Sequence, residues 1–242
     1  MTVDVLAFGA HPDDLELSCG GTLAKLVKQG HKVALADITQ GELGTRGTKE
    51  IRAREAEEAA RTLGVATRRN LLIPDGNVEV SDDNRNKVIT LIRELQPRIL
   101  LVPHSVERHP DHVHSHELCK EAWFYAGLEK IKTKHKGVDQ HAFRPHHLFE
   151  FMQWQEFYPS FVVDISDTFD IKMKAIRSYA SQFYNPNSTE GETKLSSPEF
   201  LERIETQSRY YGMRIGVKYG EPFFTHYTVG VNDIFDIVVS KG

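Results

Sequence analysis

Two short segments crowd imidazole and carboxylate side chains together: Ala10-His11-Pro12-Asp13-Asp14-Leu15-Glu16 and Arg108-His109-Pro110-Asp111-His112. Hydrolysis assisted by a bound metal needs a few nitrogen or oxygen ligands and one open position for water. In the first segment His11 and Asp14 can reach one metal from a tight turn, because Pro12 fixes its own φ. Asp13 lies between them and points elsewhere, which frees it to serve as a base. In the competing reading, Asp13-Asp14 simply caps the helix that follows. In the second segment one His can complete a metal triad, while another, held by a carboxylate, can polarise or protonate a reacting group. His114 and His116 follow at helical offsets, where solvent exposure is expected. His clusters in surface loops are usually solvated, so the two segments gain weight only if the fold unites them.

A third constellation is Gly41-Glu42-Leu43-Gly44-Thr45-Arg46-Gly47, followed by Arg52, Arg54 and Glu55. It has neither the Gly-Lys-Ser/Thr ending of a P-loop nor the spacing of a dinucleotide fingerprint. Its glycines would instead let the backbone approach a substrate closely. Arg54 reads as part of an exposed charged helix face, paired with residues such as Glu50. Arg52 stands closer to the expected crevice, where substrate contact and a charged surface are both open readings.

The elements that must position these residues alternate. Residues 3–9, 31–38, 69–73 and 99–102 are short apolar runs that read as buried parallel strands. Between them, residues 22–29, 49–63 and 84–95 have helical spacing or propensity, with Gly30 and Gly64 as stop signals. Pro74-Asp75-Gly76 is a turn signature. Strand and helix in alternation predict an α/β fold: a Rossmann-like, mostly parallel sheet with helices on both faces. The ligand crevice of such a sheet lies at the carboxyl ends of the strands, which points to the loops after Gly9, Ile38 and Val102. The C-terminal part is irregular. Residues 147–154 and 161–165 read as strands, 168–183 and 198–211 as helices, 185–197 as a mobile loop, and 235–239 as a last strand. No repeat or linker divides the chain, so a single domain over residues 1–242 is expected.

Composition excludes several classes. Lys+Arg of 30 against Asp+Glu of 34 argues against nucleic-acid binding through a basic face. No apolar run approaches the ~20 residues that span a bilayer. The N-terminal residues lack a basic region before an apolar core, so no secretory signal is expected. Cys19 and Cys119 make no disulfide framework, and a reduced, cytoplasmic state is the expectation. Twelve His is high for this length, which is why their placement matters.

On these residues the chain resembles the PIG-L/LmbE family of zinc-dependent N-acetylglucosaminyl deacetylases. A-H-P-D-D-x-E and R-H-P-D-H carry the resemblance, and G-E-L-G-T-R-G-T, R-x-x-E from Arg52 to Glu55, P-D-G around Asp75 and M-R-I-G-V-K-Y-G-E-P-F extend it along the chain. The G-T-R-G-T loop and the late stretch are similar to the bacillithiol-biosynthesis branch, which deacetylates N-acetylglucosaminyl malate. The resemblance implies His11, Asp14 and His112 as ligands of one Zn²⁺ and Asp13 as general base. It implies that His109 stabilises the tetrahedral intermediate, protonated with help from Asp111 as its carboxylate partner. Arg52 and Asp75 match positions that hold sugar hydroxyls, and Tyr184 is the candidate for a tyrosine that closes over the oxyanion. Arg108 beside the site is a candidate partner for a malate carboxylate, or a surface Arg beside a His-rich loop. Other divalent metals, Fe²⁺, Mn²⁺ or Co²⁺, also suit such a donor set. The implied partners are a small N-acetylated glucosamine substrate and copies of the chain itself, in a homo-oligomer such as a hexamer. Competing readings are a deacetylase of chitobiose or a glycolipid, a thiol-conjugate amidase, and a sugar-binding α/β module without hydrolysis. Metal content and acetate release separate the last of these from the enzymes.

Overall fold

A computed structural model of the chain describes residues 1–237. Nine strands form: β1 (Val5–Gly9), β2 (Val33–Asp37), β3 (Thr67–Asn70), β4 (Ile99–Pro103), β5 (Lys134–His135), β6 (Val138–Asp139), β7 (His147–Phe151), β8 (Phe161–Asp164) and β9 (Gly220–Phe224). The helices are α1 (Asp14–Lys28), α2 (Lys49–Leu63), α3 (Asp82–Leu95), α4 (Pro110–Ala126), α5 (Phe169–Arg177) and α6 (Phe200–Arg214). Seven strands make one sheet in the order β3-β2-β1-β4-β7-β9-β8, and β5 pairs with β6 in a separate hairpin. The pairings from β3 through β7 are parallel, whereas β9 runs antiparallel to both its neighbours. The expected mostly parallel α/β sheet is therefore found.

Side chains along a strand alternate between faces, and the core splits accordingly. Val5 and Ala7 of β1 pack on one face with α1, α2 and α5, while Leu6 and Phe8 pack on the other with α3 and α4. Thr48 and Ser81 accept backbone N–H bonds at the starts of α2 and α3, and Gly64 ends α2 in the left-handed region. None of the helices among the described residues is long and apolar enough to cross a membrane.

Four elements differ from the expectation. α1 begins inside the first motif, at Asp14, instead of at residue 22. It kinks at Cys19 (φ −134°), which frees backbone amides in mid-helix. The Glu221 carboxylate of β9 accepts those of Gly21 and Thr22, at 3.0 and 2.7 Å, and pairs with buried Lys172 of α5 at 2.6 Å. Gly21 is required there, because a Cβ would lie 2.7 Å from Ile165. The helix expected over 168–183 stops at Arg177, since the segment beyond it is bound elsewhere: Ser181 donates twice to Glu55 of α2, and Gln182 donates to the Arg46 carbonyl. β9 was hidden by Gly220 and Pro222, which both read against a strand. Within the strand expected over 235–239, Ile234–Asp236 forms a 3₁₀ turn, and residues 238–239 lie outside the described residues.

The Lys172–Glu221 pair ties α5 to the C-terminal strand, and the same carboxylate holds the helix that carries the first motif. Lys172→Met should leave Glu221 buried without its counter-charge and cost about 3–5 kcal/mol. Urea unfolding checks this; an unchanged midpoint would contradict it.

Candidate active site

β1 and β4 are hydrogen-bonded neighbours, and the chain leaves β1 toward β2 and β3 before returning to β4 on the other side. That reversal of strand order opens a crevice at their carboxyl ends. Both His-Asp segments emerge into it. The crevice holds a cavity of about 330 Å³, walled also by the loops after β2, β3 and β7 and by the start of α6.

His11, Asp14 and His112 present donor atoms that all lie within 4.8 Å of one another. The Asp14 carboxylate sits between the rings, 3.6 Å from His11 Nδ1 through one oxygen and 3.3 Å from His112 Nε2 through the other. Its position is fixed by the His11 backbone N–H (2.8 Å) and by the Gln153 amide of the loop after β7 (2.9 Å). The far nitrogens of both rings are held by carboxylates. His11 Nε2 lies 3.0 Å from Asp75 and 3.4 Å from Asp111, and His112 Nδ1 lies 3.2 Å from Glu107. A carboxylate on the far nitrogen fixes the proton there and leaves the near lone pair free. The two rings are therefore oriented with Nδ1 of His11 and Nε2 of His112 facing one point.

Asp13 occupies the cap position of α1, yet its side chain makes no cap bond. The capping reading of Asp13 fails on that observation. Its φ of 107° is a strained backbone state for a non-glycine residue, of the kind that collects at functional sites. This turn sends the carboxylate to Arg52, at 3.3 Å. Burial pushes the Asp13 carboxyl up to about 7, although the Arg52 guanidinium pulls it down. Burial opposes charge on Asp14 too, but the two imidazoles outweigh it and hold its carboxyl well below the usual range. Burial likewise opposes charge on His112, and Asp14 and Glu107 raise it to about 9 regardless. Asp13, Asp14, Asp75, Glu107 and Asp111 thus surround two imidazoles with Arg52 as the nearest cation. A donor set of two imidazoles and a carboxylate in acidic surroundings fits a divalent metal ion.

The other expected residues fall as follows. His109 faces the cavity, and its Nδ1 accepts the Asp111 backbone N–H at 3.2 Å. Its proton then resides on Nε2, and burial together with the neighbouring imidazoles lowers its pKa. The Asp111 carboxylate, expected to hold His109, lies near that ring and also reaches His11 (3.4 Å) and the Gly76 N–H (2.8 Å). Asp75 lines the cavity but spends its oxygens on His11 and the Leu43 N–H. Arg52 donates to the carbonyls of Gly41 (3.0 Å) and Pro12 (2.5 Å) as well as to Asp13. Gly41 is needed for this: its φ is +66°, and a Cβ there would collide with the guanidinium. Arg108 lies over the Trp154 ring, 4.6 Å from its centroid. Tyr184, the expected oxyanion tyrosine, is exposed and absent from the cavity wall, and no tyrosine lines the cavity among the described residues. Arg54 and His114 are exposed as expected. His116 is instead fully buried, because it shares the sheet-facing side of α4 with Ser115 and Cys119, and its Nδ1 lies 3.0 Å from the Pro103 carbonyl.

Glu107, Gln153, Trp154 and Arg203 line the cavity and were not anticipated. The strand-end rule reaches Gln153 and Trp154 once the loop after β7 is counted. Glu107 offered only its closeness to the second motif.

Comparison with known proteins agrees with this geometry. The profile of PIG-L, GlcNAc-PI de-N-acetylase, matches residues 6–123. A diacetylchitobiose deacetylase of Thermococcus kodakarensis is 32% identical over 233 residues, covering 90% of this chain and 80% of that protein. The chain belongs to the PIG-L family. Curated relatives that the chain matches are deacetylases, and the chain is accordingly an enzyme of the amide-hydrolase class. A crystal structure of a conserved protein from Thermus thermophilus superposes with a TM-score of 0.86 at 36% identity, covering 96% of this chain and 99% of that one. A probable N-acetyl-alpha-D-glucosaminyl L-malate deacetylase 2 of Bacillus cereus is 31% identical over 123 residues, 45% of this chain and 55% of that protein.

Glu107→Ala removes the carboxylate that orients His112. Metal affinity, measured by chelator competition, should fall about 10–100-fold. Undiminished affinity would remove Glu107 from that role.

Proposed function

We propose that the chain is a zinc-dependent hydrolase that removes the N-acetyl group from an N-acetylglucosaminyl compound, with N-acetyl-alpha-D-glucosaminyl L-malate as its substrate. The observation that carries this reading is the convergence of His11, Asp14 and His112 on one point, with Asp13 held beside them on Arg52. His11, Asp14 and His112 would hold the metal, which supplies Lewis-acid polarisation when bound. Asp13 accepts the proton of the attacking water, a task suited to a carboxyl raised to about 7. His109 faces the same space as a neutral imidazole with its proton on Nε2, and can donate that hydrogen to the developing oxyanion. When the tetrahedral species collapses, the C–N bond breaks and the amine leaves with the proton that Asp13 took up. Acetate and a free glucosamine nitrogen result. Asp75, Asp111 and Glu107 act through the rings they orient, and Arg52 acts through Asp13.

The malyl assignment is supported by the late M-R-I-G-V-K-Y-G-E-P-F stretch and by Arg108, whose guanidinium has no carboxylate within ion-pair distance among the described residues. A second reading, a neutral disaccharide such as diacetylchitobiose, is supported by the extent of the match to the Thermococcus protein. Acetate release from N-acetylglucosaminyl malate, diacetylchitobiose and N-acetylglucosamine, with and without a chelator, tests both. No acetate from any of the three by the metal-loaded protein would refute the deacetylase reading.

Two variants separate the roles. His112→Ala should lose its metal during purification, read by elemental analysis. Asp13→Ala should keep the metal while turnover falls ~10²–10⁴-fold. Full metal in the first, or near-normal turnover in the second, would overturn the assignment concerned.

A further inference from the structure

The cavity is electrically lopsided. Asp13, Asp14, Asp75 and Glu107 make its acidic floor, and Arg108 and Arg203 line it beside the Trp154 indole. Arg203, in the first turn of α6, stacks 3.8 Å from the Trp154 centroid, and Arg108 and Lys194 lie 4.6 and 5.0 Å from the same ring. Lys194 and Arg108 are exposed, but Arg203 is only partly accessible. Among the described residues none of the three side chains forms an ion pair, although most other half-buried arginines of the chain do. Burial lowers the Arg203 pKa, Glu107 and Glu156 oppose that shift without coming within ion-pair distance, and the nearby Arg108 adds to it. A guanidinium stacked flat on an indole keeps its N–H groups directed outward in the ring plane, ready for a planar anion. Leu195, Phe200 and Ile204 give the same cavity an apolar stretch of lining.

We infer that Arg203, seated on Trp154 and backed by Arg108 and Lys194, is a specificity-determining anchor for an anionic group, carboxylate or phosphate, on the aglycone of the substrate. The inference rests on the reading of the site as an N-acetylglucosaminyl deacetylase and extends it from one residue to a built wall. With the acetamide over the acidic floor, the sugar spans the apolar stretch and the aglycone charge meets the guanidiniums. Such a wall ranks substrates by charge: anionic glycosides above neutral ones.

Arg203→Met tests this, because Met keeps an unbranched apolar stem over Trp154 and removes only the charged head. The probes are glucosaminyl malate, glucosamine 1-phosphate and methyl glucosaminide, titrated calorimetrically into the metal-loaded wild type and variant at low ionic strength. The wild type should bind at least one anionic probe about tenfold more tightly than the methyl glycoside, as expected of a charge-assisted pair. The variant should lose that margin and bind the methyl glycoside as before. A response by malate alone or by 1-phosphate alone supports the anchor and identifies the anion. No anionic preference in the wild type, or an equal loss on all three probes, overturns it; the latter makes Arg203 a mere prop for Trp154. The binding contrast stands apart from acetate release, so a protein that discriminates charge yet frees no acetate refutes the deacetylase reading and leaves the anchor intact.

Discussion

Parallel pairing of β1 with β4 is the constraint on which the site depends. Strands adjacent in the sheet deliver their carboxyl ends to one edge, and here the chain has laid β2 and β3 on one side of β1 before placing β4 on the other. Helices must therefore leave β1 and β4 toward opposite faces, and a gap opens above the pair. Val5 opposite Ile99 and Ala7 opposite Leu101 fix the register that brings His11 level with His112. A strand inserted between them would leave each motif an ordinary polar loop.

Within that gap the chief difficulty is charge. Several carboxylates are buried together, and each ionised one needs compensation that water no longer provides. The fold answers with two kinds of contact. Arg52 spans from α2 to Asp13 and two backbone carbonyls, which holds one carboxylate ionisable but not fully quenched. Asp75, Asp111 and Glu107 bind the outer nitrogens of the two imidazoles, so the acidic groups orient the rings while the rings relieve the acids. What remains is a cluster with an excess of negative charge around converging lone pairs, which is what a divalent cation requires. The strained turn at Asp13 belongs to the same design: a relaxed helix start would spend that carboxylate on backbone amides.

The C-terminal half does different work. β9 anchors α1 through Glu221, the segment after α5 clamps the glycine-rich loop through Gln182, and the start of α6 closes the cavity with Phe200, Arg203 and Ile204. The chemistry thus sits on the parallel half of the sheet, and the wall that meets the rest of the substrate comes from the mixed half.

Much of the fold was legible in the sequence because buried parallel strands write themselves as short apolar runs, and helices as spaced ones. The candidate ligands were legible in part: His11 and Asp14 share one tight turn and the strand-end rule points to the second motif, whereas the choice of His112 over His109 came from the family resemblance alone. The sequence could not tell which groups would partner which. That Asp111 also reaches His11, that Arg52 and Asp75 turn inward, and that His116 is buried all depend on distances between segments remote along the chain. β9 and the end of α5 were misjudged for a related reason: where a helix stops, and whether Gly220 and Pro222 can sit in a strand, is decided by neighbours the local sequence does not contain. Residue types set what chemistry was available; only the packing of one segment against another decided which atoms face each other.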